Sequence, residues 1–430
     1  MATTPGTLYT NARVLTLAGP RPRRGAEMAN LGVIERGSVL VRGGVIERVE
    51  ATPTSGGALS ASIASGPAAS IPGVEIVDLA GRVLMPALVD CHTHACFAGS
   101  RVDEWGRVLR GESYLDVLRS GGGIMSTVRA VRAASQEKLA DNLRSRLQVA
   151  ASAGTGAIEV KSGYGLSTRD ELKMLRAIAD AASHAGCSVD VRATALLGHA
   201  LDPDVPREDF VRATIEETLP AVHVEFPGVA IDAYCERGAW NADECSRLFE
   251  SARALGHPIR MHADQFNSLG MVERAIALGA RSVDHLEASS PETLVALAAS
   301  TAVGVILPLC GLHMGSRSGN AAQGTRFADA RPLIDAGGAL AIATNFNPGS
   351  APGLSLPLAM AIAVRECGVT PAEAIAAATV NAAHVLRLDD RGSIEPGQRA
   401  DLLALDTDDE RELAYWLASP PISRRSIAAV

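Results

Sequence analysis

Between Leu84 and Thr344, short apolar runs alternate with amphipathic stretches eight times. The runs are 84–92, 156–162, 188–197, 229–235, 258–263, 281–286, 302–308 and 338–344. Each has the length of a strand, and the apolar run at the first, Val83-Leu84-Met85-Pro86-Ala87-Leu88, reads as a buried one. The intervening stretches carry helix punctuation. Ser167 and Thr168 stand three residues before Asp170 and Glu171, with Gly186 at the far end. Asn241 precedes Glu244 in the same way and Gly256 closes that stretch, while Thr370-Pro371-Ala372-Glu373 joins a cap, a first-turn proline and a capping carboxylate. Eight such alternations predict an α/β fold, a (β/α)8 barrel of the TIM type, whose chemistry gathers at the C-terminal ends of the strands.

Such a barrel takes roughly 250 residues, and the chain has 430. The remainder reads as β structure at both ends. Residues 6–50 hold strand-like segments at 8–10, 12–16, 37–41 and 44–47, with a hairpin signal at Gly43-Gly44. Residues 51–72 are rich in Ala, Ser, Gly and Pro and read as a flexible loop, after which 74–78 resumes a strand. A turn at 392–397, a strand at 401–405 and a strand-like tail at 427–430 close the chain. The expected division is a small composite β domain from 1–82 and 386–430, and a barrel from 83–385.

The formal net charge of −8 comes without a long basic run, which argues against nucleic acid as a partner. No apolar run is long enough to span a bilayer, and the first residues lack a signal-like apolar core. Seven scattered cysteines, an odd number, point to reduced thiols and a cytoplasmic location. The apolar helices and the Tyr415-Trp416-Leu417 cluster permit a homodimer.

Polar residues stand where the strands end. His92 and His94 follow the first, and on an extended segment residues i and i+2 share a side. Lys161 to Gly165 follow the second, His199 the third and Glu236 the fourth; His262 to Gln265 end the fifth, Asp284-His285 the sixth, and Thr344 to Ser350 the eighth. His92, His94 and His262 would hold one metal ion through neutral nitrogens, with a fourth ligand from the eighth strand, and the ion would acidify a bound water. His285 would shuttle a proton or polarise a carbonyl. Arg101 is placed to clamp a substrate carboxylate; the alternative is a surface ion pair. Lys161 is either a carbamylated bridge between two metals or, the preferred reading, a buried lysine paired with a carboxylate. His184 and His257 read as helix-end residues, His223 and His384 as surface or packing residues, and His313 stays open.

These stretches carry a resemblance. The H-x-H of Val89 to His94 with Phe97 to Arg101, the strand-five and strand-six histidines, and Asn345 to Ser350 resemble the amidohydrolase superfamily. The segments Gly121-Gly122-Gly123-Ile124 with Ser126-Thr127-Val128-Arg129, and Lys161-Ser162-Gly163-Tyr164-Gly165-Leu166, are similar to those of its imidazolonepropionase family. The resemblance implies one Zn2+ or Fe3+ per chain and hydrolysis of a small molecule, 4-imidazolone-5-propanoate, to N-formimidoyl-L-glutamate in histidine breakdown. It implies His92, His94 and His262 as ligands with Asn345 at the fourth position. Arg101, Tyr164, His199, Gln265, Asn347, Gly349 and Ser350 match substrate or product contacts, and His285, with Gln265 and Asn345, the catalytic positions. Two departures stand out. Asn345 takes the place of the family's usual Asp, and one residue fewer precedes His199. The first leaves open weaker metal binding, proton transfer shifted to His285, or a non-catalytic relative; another cyclic-amide hydrolase or a deaminase is the remaining alternative.

Overall fold

The structure is a computed structural model that describes residues 5–52, 73–112, 121–314 and 327–423. The loop at 53–72 and the tail at 427–430 lie outside the described residues. The chain begins in a mixed sheet. It contains β1 (Gly6–Leu15), β2 (Val33–Arg42), β3 (Val45–Ala51), β4 (Val74–Asp78) and β5 (Val83–Pro86), completed by the late strand β14 (Leu402–Ala404). The order is β14-β5-β1-β2-β3, and β4 lies parallel to the first half of β1. Both chain ends therefore build one sheet, as the flanking strand patterns predict.

The second sheet holds β6 (Leu88–Asp90), β7 (Thr155–Lys161), β8 (Asp190–Gly198), β9 (Ala230–Cys235), β10 (Ile259–Ala263), β11 (Ser282–His285), β12 (Val303–Ile306) and β13 (Leu340–Ile342). Neighbours follow chain order, and every pair is parallel. The ring closes just past β13 and β6. There the Asn345 amide donates to the His92 carbonyl (3.0 Å), and the His94 amide to the Phe346 carbonyl (2.9 Å). The barrel closure thus lies in the two segments that carry the site.

One expected strand is two. The run 84–92 changes sheets at Pro86-Ala87: Val83–Pro86 pairs with β1 and β14, and Leu88–Asp90 with β7. Proline has no amide hydrogen to continue a ladder, and the Ala87 amide turns away to the Asp401 carbonyl (2.8 Å). His92 and His94 consequently sit on extended chain beyond β6 rather than within it.

The helices form where their caps predict. Asn241 and Thr370 each make a reciprocal capping box with Glu244 and Glu373, and the Ser167 hydroxyl accepts from the Asp170 amide. Their apolar faces pack on the barrel as one continuous core rich in Ala, Val, Leu and Ile. Among the described residues no helix is long and apolar enough to cross a membrane.

Candidate active site

The C-terminal mouth of the barrel opens into a cavity of about 720 Å3. Its wall includes His94, Arg101, Tyr164, His199, His262, Gln265, His285, Asn345, Asn347, Gly349 and Ser350. His92 lies directly beneath, wholly buried. The strand-end residues thus share one chamber although they span more than half the chain. Three of the strand exits leave through left-handed backbone, at Asp264 (φ 57°), His285 (φ 90°) and Asn345 (φ 55°). Side chains other than glycine rarely adopt that region, and such strain collects at functional sites.

Three imidazoles converge. His92 donates from Nδ1 to Asp284 Oδ2 (2.6 Å), and His262 from Nδ1 to Asp232 Oδ1 (3.0 Å). Each Nδ1 therefore carries the proton, and each Nε2 presents a lone pair. Those lone pairs meet: His92 Nε2 is 3.3 Å and His262 Nε2 3.5 Å from His94 Nε2. With its proton on Nδ1, which is buried without a hydrogen-bond partner, His94 turns a third lone pair toward the other two, and lone pairs at this distance repel unless a cation lies between them. Two nitrogens each about 2.0–2.1 Å from a tetrahedral ion stand about 3.3–3.4 Å apart. In the wall of the same cavity Asn345 Oδ1 is buried without a hydrogen-bond partner. The donor set fits a single metal ion. Burial holds the His92 and His94 imidazoles well below their ordinary pKa, which keeps them neutral.

Beneath the imidazoles the barrel interior is charged. Lys161 Nζ lies 2.8 Å from Glu159 and 2.7 Å from Asp232, all three fully buried. This is the buried paired lysine of the preferred sequence reading. Arg260 bonds Asp284 (2.8 Å), the Cys91 carbonyl (2.8 Å) and Glu159. Burial alone would raise the Asp232 carboxyl, but the His262 ring that donates to it and the Lys161 ammonium hold it far below the usual carboxylate range. Sequence reasoning gives Glu159, Asp232 and Arg260 no role. Their signal was present: Glu159/Lys161, Asp232/Tyr234 and Arg260/His262 are polar residues two apart within apolar runs, hence on one face of their strands.

The remaining wall is set by local bonds. His285 Nδ1 faces the Glu287 carboxylate at 3.2 Å. Gln265 accepts from the Tyr234 hydroxyl (2.8 Å) and donates to Cys310 Sγ (3.4 Å). His199 donates from Nδ1 to the Gly163 carbonyl (2.9 Å) and stacks on His94, centroids 5.1 Å apart. Burial, aided by His262, pushes its imidazole down to about 3, so Nε2 is a neutral acceptor. Burial raises the Tyr164 phenol, which stays protonated. Asn347 turns inward on its own loop: Oδ1 accepts from the Gly349 (2.8 Å) and Ser350 (2.7 Å) amides, and Nδ2 donates to the Asn345 carbonyl (2.7 Å).

Arg101 lines the cavity and is held in an ion pair. Its Nε donates to Glu104 (2.7 Å), while Nη1 lies against Gly349 so closely that a Cβ there would stand 2.5 Å away. A side chain at 349 would therefore displace the Arg101 guanidinium. Elsewhere, His223 and His257 bond each other (3.0 Å) away from the cavity.

The amidohydrolase family model matches residues 83–424. An imidazolonepropionase of Deinococcus radiodurans is 42% identical over 423 residues, 98% of each chain. One of Chloroflexus aggregans is 39% identical, across 97% of this chain and 96% of the relative. Among solved structures, the 5-methylcytosine deaminase of Klebsiella pneumoniae aligns with a TM-score of 0.68 at 16% identity, covering 95% of this chain and 93% of its own. The A. niger ochratoxinase aligns with a TM-score of 0.66 at 17% identity, covering 98% and 94%. These solved neighbours share the fold.

Proposed function

The chain belongs to the amidohydrolase family, among its imidazolonepropionases, and from that premise we propose how its site works. The reaction is hydrolysis of 4-imidazolone-5-propanoate, a ring C–N bond being cut by water to give N-formimidoyl-L-glutamate. The single observation that carries the site reading is the approach of His92 Nε2 (3.3 Å) and His262 Nε2 (3.5 Å) to His94 Nε2 above buried carboxylates.

His92, His94 and His262 would hold the ion, with Asn345 Oδ1 as a neutral fourth donor. When bound, it supplies Lewis acidity to the ring carbonyl and acidifies the attacking water. Zinc and iron both suit imidazole donors. The chain's own residues do the rest. Arg101 binds the propanoate arm through its Nη atoms while Glu104 steadies Nε. His199 Nε2 accepts from a ring N–H, and the Tyr164 hydroxyl donates. His285, held through Nδ1 by Glu287, presents Nε2 to the cavity; it takes a proton from water and returns it to the departing ring nitrogen. The closed wall of Asn347, Gly349 and Ser350 shapes the floor on which the arm lies.

Purified protein supplied with zinc or iron, then with 4-imidazolone-5-propanoate, should form N-formimidoyl-L-glutamate. Absence of turnover with either metal would overturn the reading. Replacing Arg101 by Ala should cost on the order of 2–5 kcal/mol in kcat/KM for this carboxylate substrate, read from steady-state rates.

A further inference from the structure

Tyr164 sits on a tight loop, Gly163 to Leu166, that leaves β7 and enters the helix Thr168–Ala182. The loop contains left-handed backbone at Gly163 (φ 107°) and Leu166 (φ 50°), and leucine adopts that conformation only under constraint. The constraint comes from one carboxylate. Glu171, in the first helical turn, accepts from the Gly163 amide through Oε2 (2.8 Å), and from the Gly165 (2.7 Å) and Leu166 (2.9 Å) amides through Oε1. The side chain is 3% exposed. A Cβ on Gly165 would lie 2.5 Å from the Glu171 amide, so the loop is pressed onto the helix. From the other side Arg132 donates to the Gly165 (2.8 Å) and Leu166 (3.0 Å) carbonyls and to Asp202 (2.7 Å).

Both polar sides of this loop are thus taken by buried or half-buried ionic partners. What the loop delivers to the cavity is the Tyr164 ring, 5.1 Å from His199, and the Gly163 carbonyl, which fixes the His199 tautomer. A slackened loop would move the phenol and free His199 Nδ1 together. Neither group holds the metal in the reading above, so that reading predicts a loss in substrate capture more than in the chemical step.

We propose that Glu171, with Arg132 opposing it, is a positioning residue of the substrate site, acting through Tyr164 and the Gly163–His199 bond. The proposal rests on the functional reading above and names how that site is held for a small ring substrate. Glu171→Gln keeps the shape but replaces one accepting oxygen by an NH2, which cannot accept from the backbone amide it would face.

The test measures kcat and KM with 4-imidazolone-5-propanoate, metal content, and the affinity for N-formimidoyl-L-glutamate. Glu171→Gln should raise KM and weaken product binding by about tenfold, with kcat and metal content nearly unchanged, as expected for loss of binding shared by ground and transition states. In a Tyr164→Phe background the same substitution should cost less than it does alone, because the phenol is already lost and only the Gly163–His199 bond is left to slacken. If Glu171→Gln does not fold, Arg132→Gln slackens the loop from its carbonyl side and should give the same split. A fall confined to kcat, a loss of metal, or losses that simply add with Tyr164→Phe would overturn the proposal. If the unsubstituted protein neither turns the substrate over nor binds the product, the functional reading fails first.

Discussion

Asn345 sets the electrical character of the site at the level of a single residue. Its Oδ1 is buried, lacks a partner and belongs to the cavity wall that His94 and His262 share, so it can serve as a ligand; being an amide, it brings no charge. The charge lies one layer deeper. Glu159, Asp232 and Asp284 face Lys161 and Arg260, three carboxylates against two cations, which leaves one net negative charge beneath the imidazoles apart from Asp90, whose carboxyl burial pushes up to about 7. That charge reaches the ion through the rings of His92 and His262, the familiar way in which a carboxylate strengthens a histidine ligand. Asn345→Asp would place a second negative charge in direct contact. It should tighten metal retention by tenfold or more, on the order of the loss seen when supporting carboxylates are removed elsewhere, measured by competition with a chelator. Stripping the metal from the unsubstituted protein should lower its melting temperature, since the folded state alone presents the converged lone pairs and an ion that binds only that state stabilises it. Calorimetry with and without chelator reads this directly, and equal melting temperatures would count against the site.

At the scale of the strand, what matters is the inward row that β7, β9, β10 and β11 present below the mouth. Lys161 is fully buried between two carboxylates, and removing one partner of such a network leaves an uncompensated charge. Lys161→Met should therefore cost about 3–5 kcal/mol of stability, read as a lower urea midpoint. Pairing it with Asp232→Asn should recover part of that loss, because the stranded charge is then gone. This row also marks how far the sequence could be read. All eight barrel strands and the two capping boxes are visible in it, because periodicity and caps are local. The strand-end histidines are visible because the barrel gathers strand ends. The partners of Lys161 and Arg260 are not, because an ion pair between β7 and β9 or β10 depends on register between segments some 70 to 100 residues apart. The sheet change at Pro86-Ala87 was hidden for the same reason: an unbroken apolar run does not say with which neighbour each half pairs.

For the molecule as a whole, the chemistry and the fastening lie at opposite ends of the barrel. The mouth carries strained backbone and converging polar groups, whereas the floor is where the N-terminal segment is fixed to the last strand. Asn381 does this with one side chain. Its Oδ1 accepts from the Arg23 amide (2.7 Å), and its Nδ2 donates to the Arg23 (2.9 Å) and Leu340 (2.8 Å) carbonyls. Leu340 opens β13, so these bonds sit at the N-terminal end of the strand, the face that serves stability in this fold. Asn381 is fully buried. Asn381→Ala strands one buried amide hydrogen and withdraws a donor from two carbonyls, each buried group left unmade being worth about 1–3 kcal/mol. The expected loss is about 3 kcal/mol, seen as a lower urea midpoint with an unchanged slope, because the folded and unfolded surfaces stay the same. Turnover at a temperature where the variant stays folded should keep its kcat and KM. A shift in KM would mean that the floor and the mouth move together, and that the termini do more than close the barrel from below.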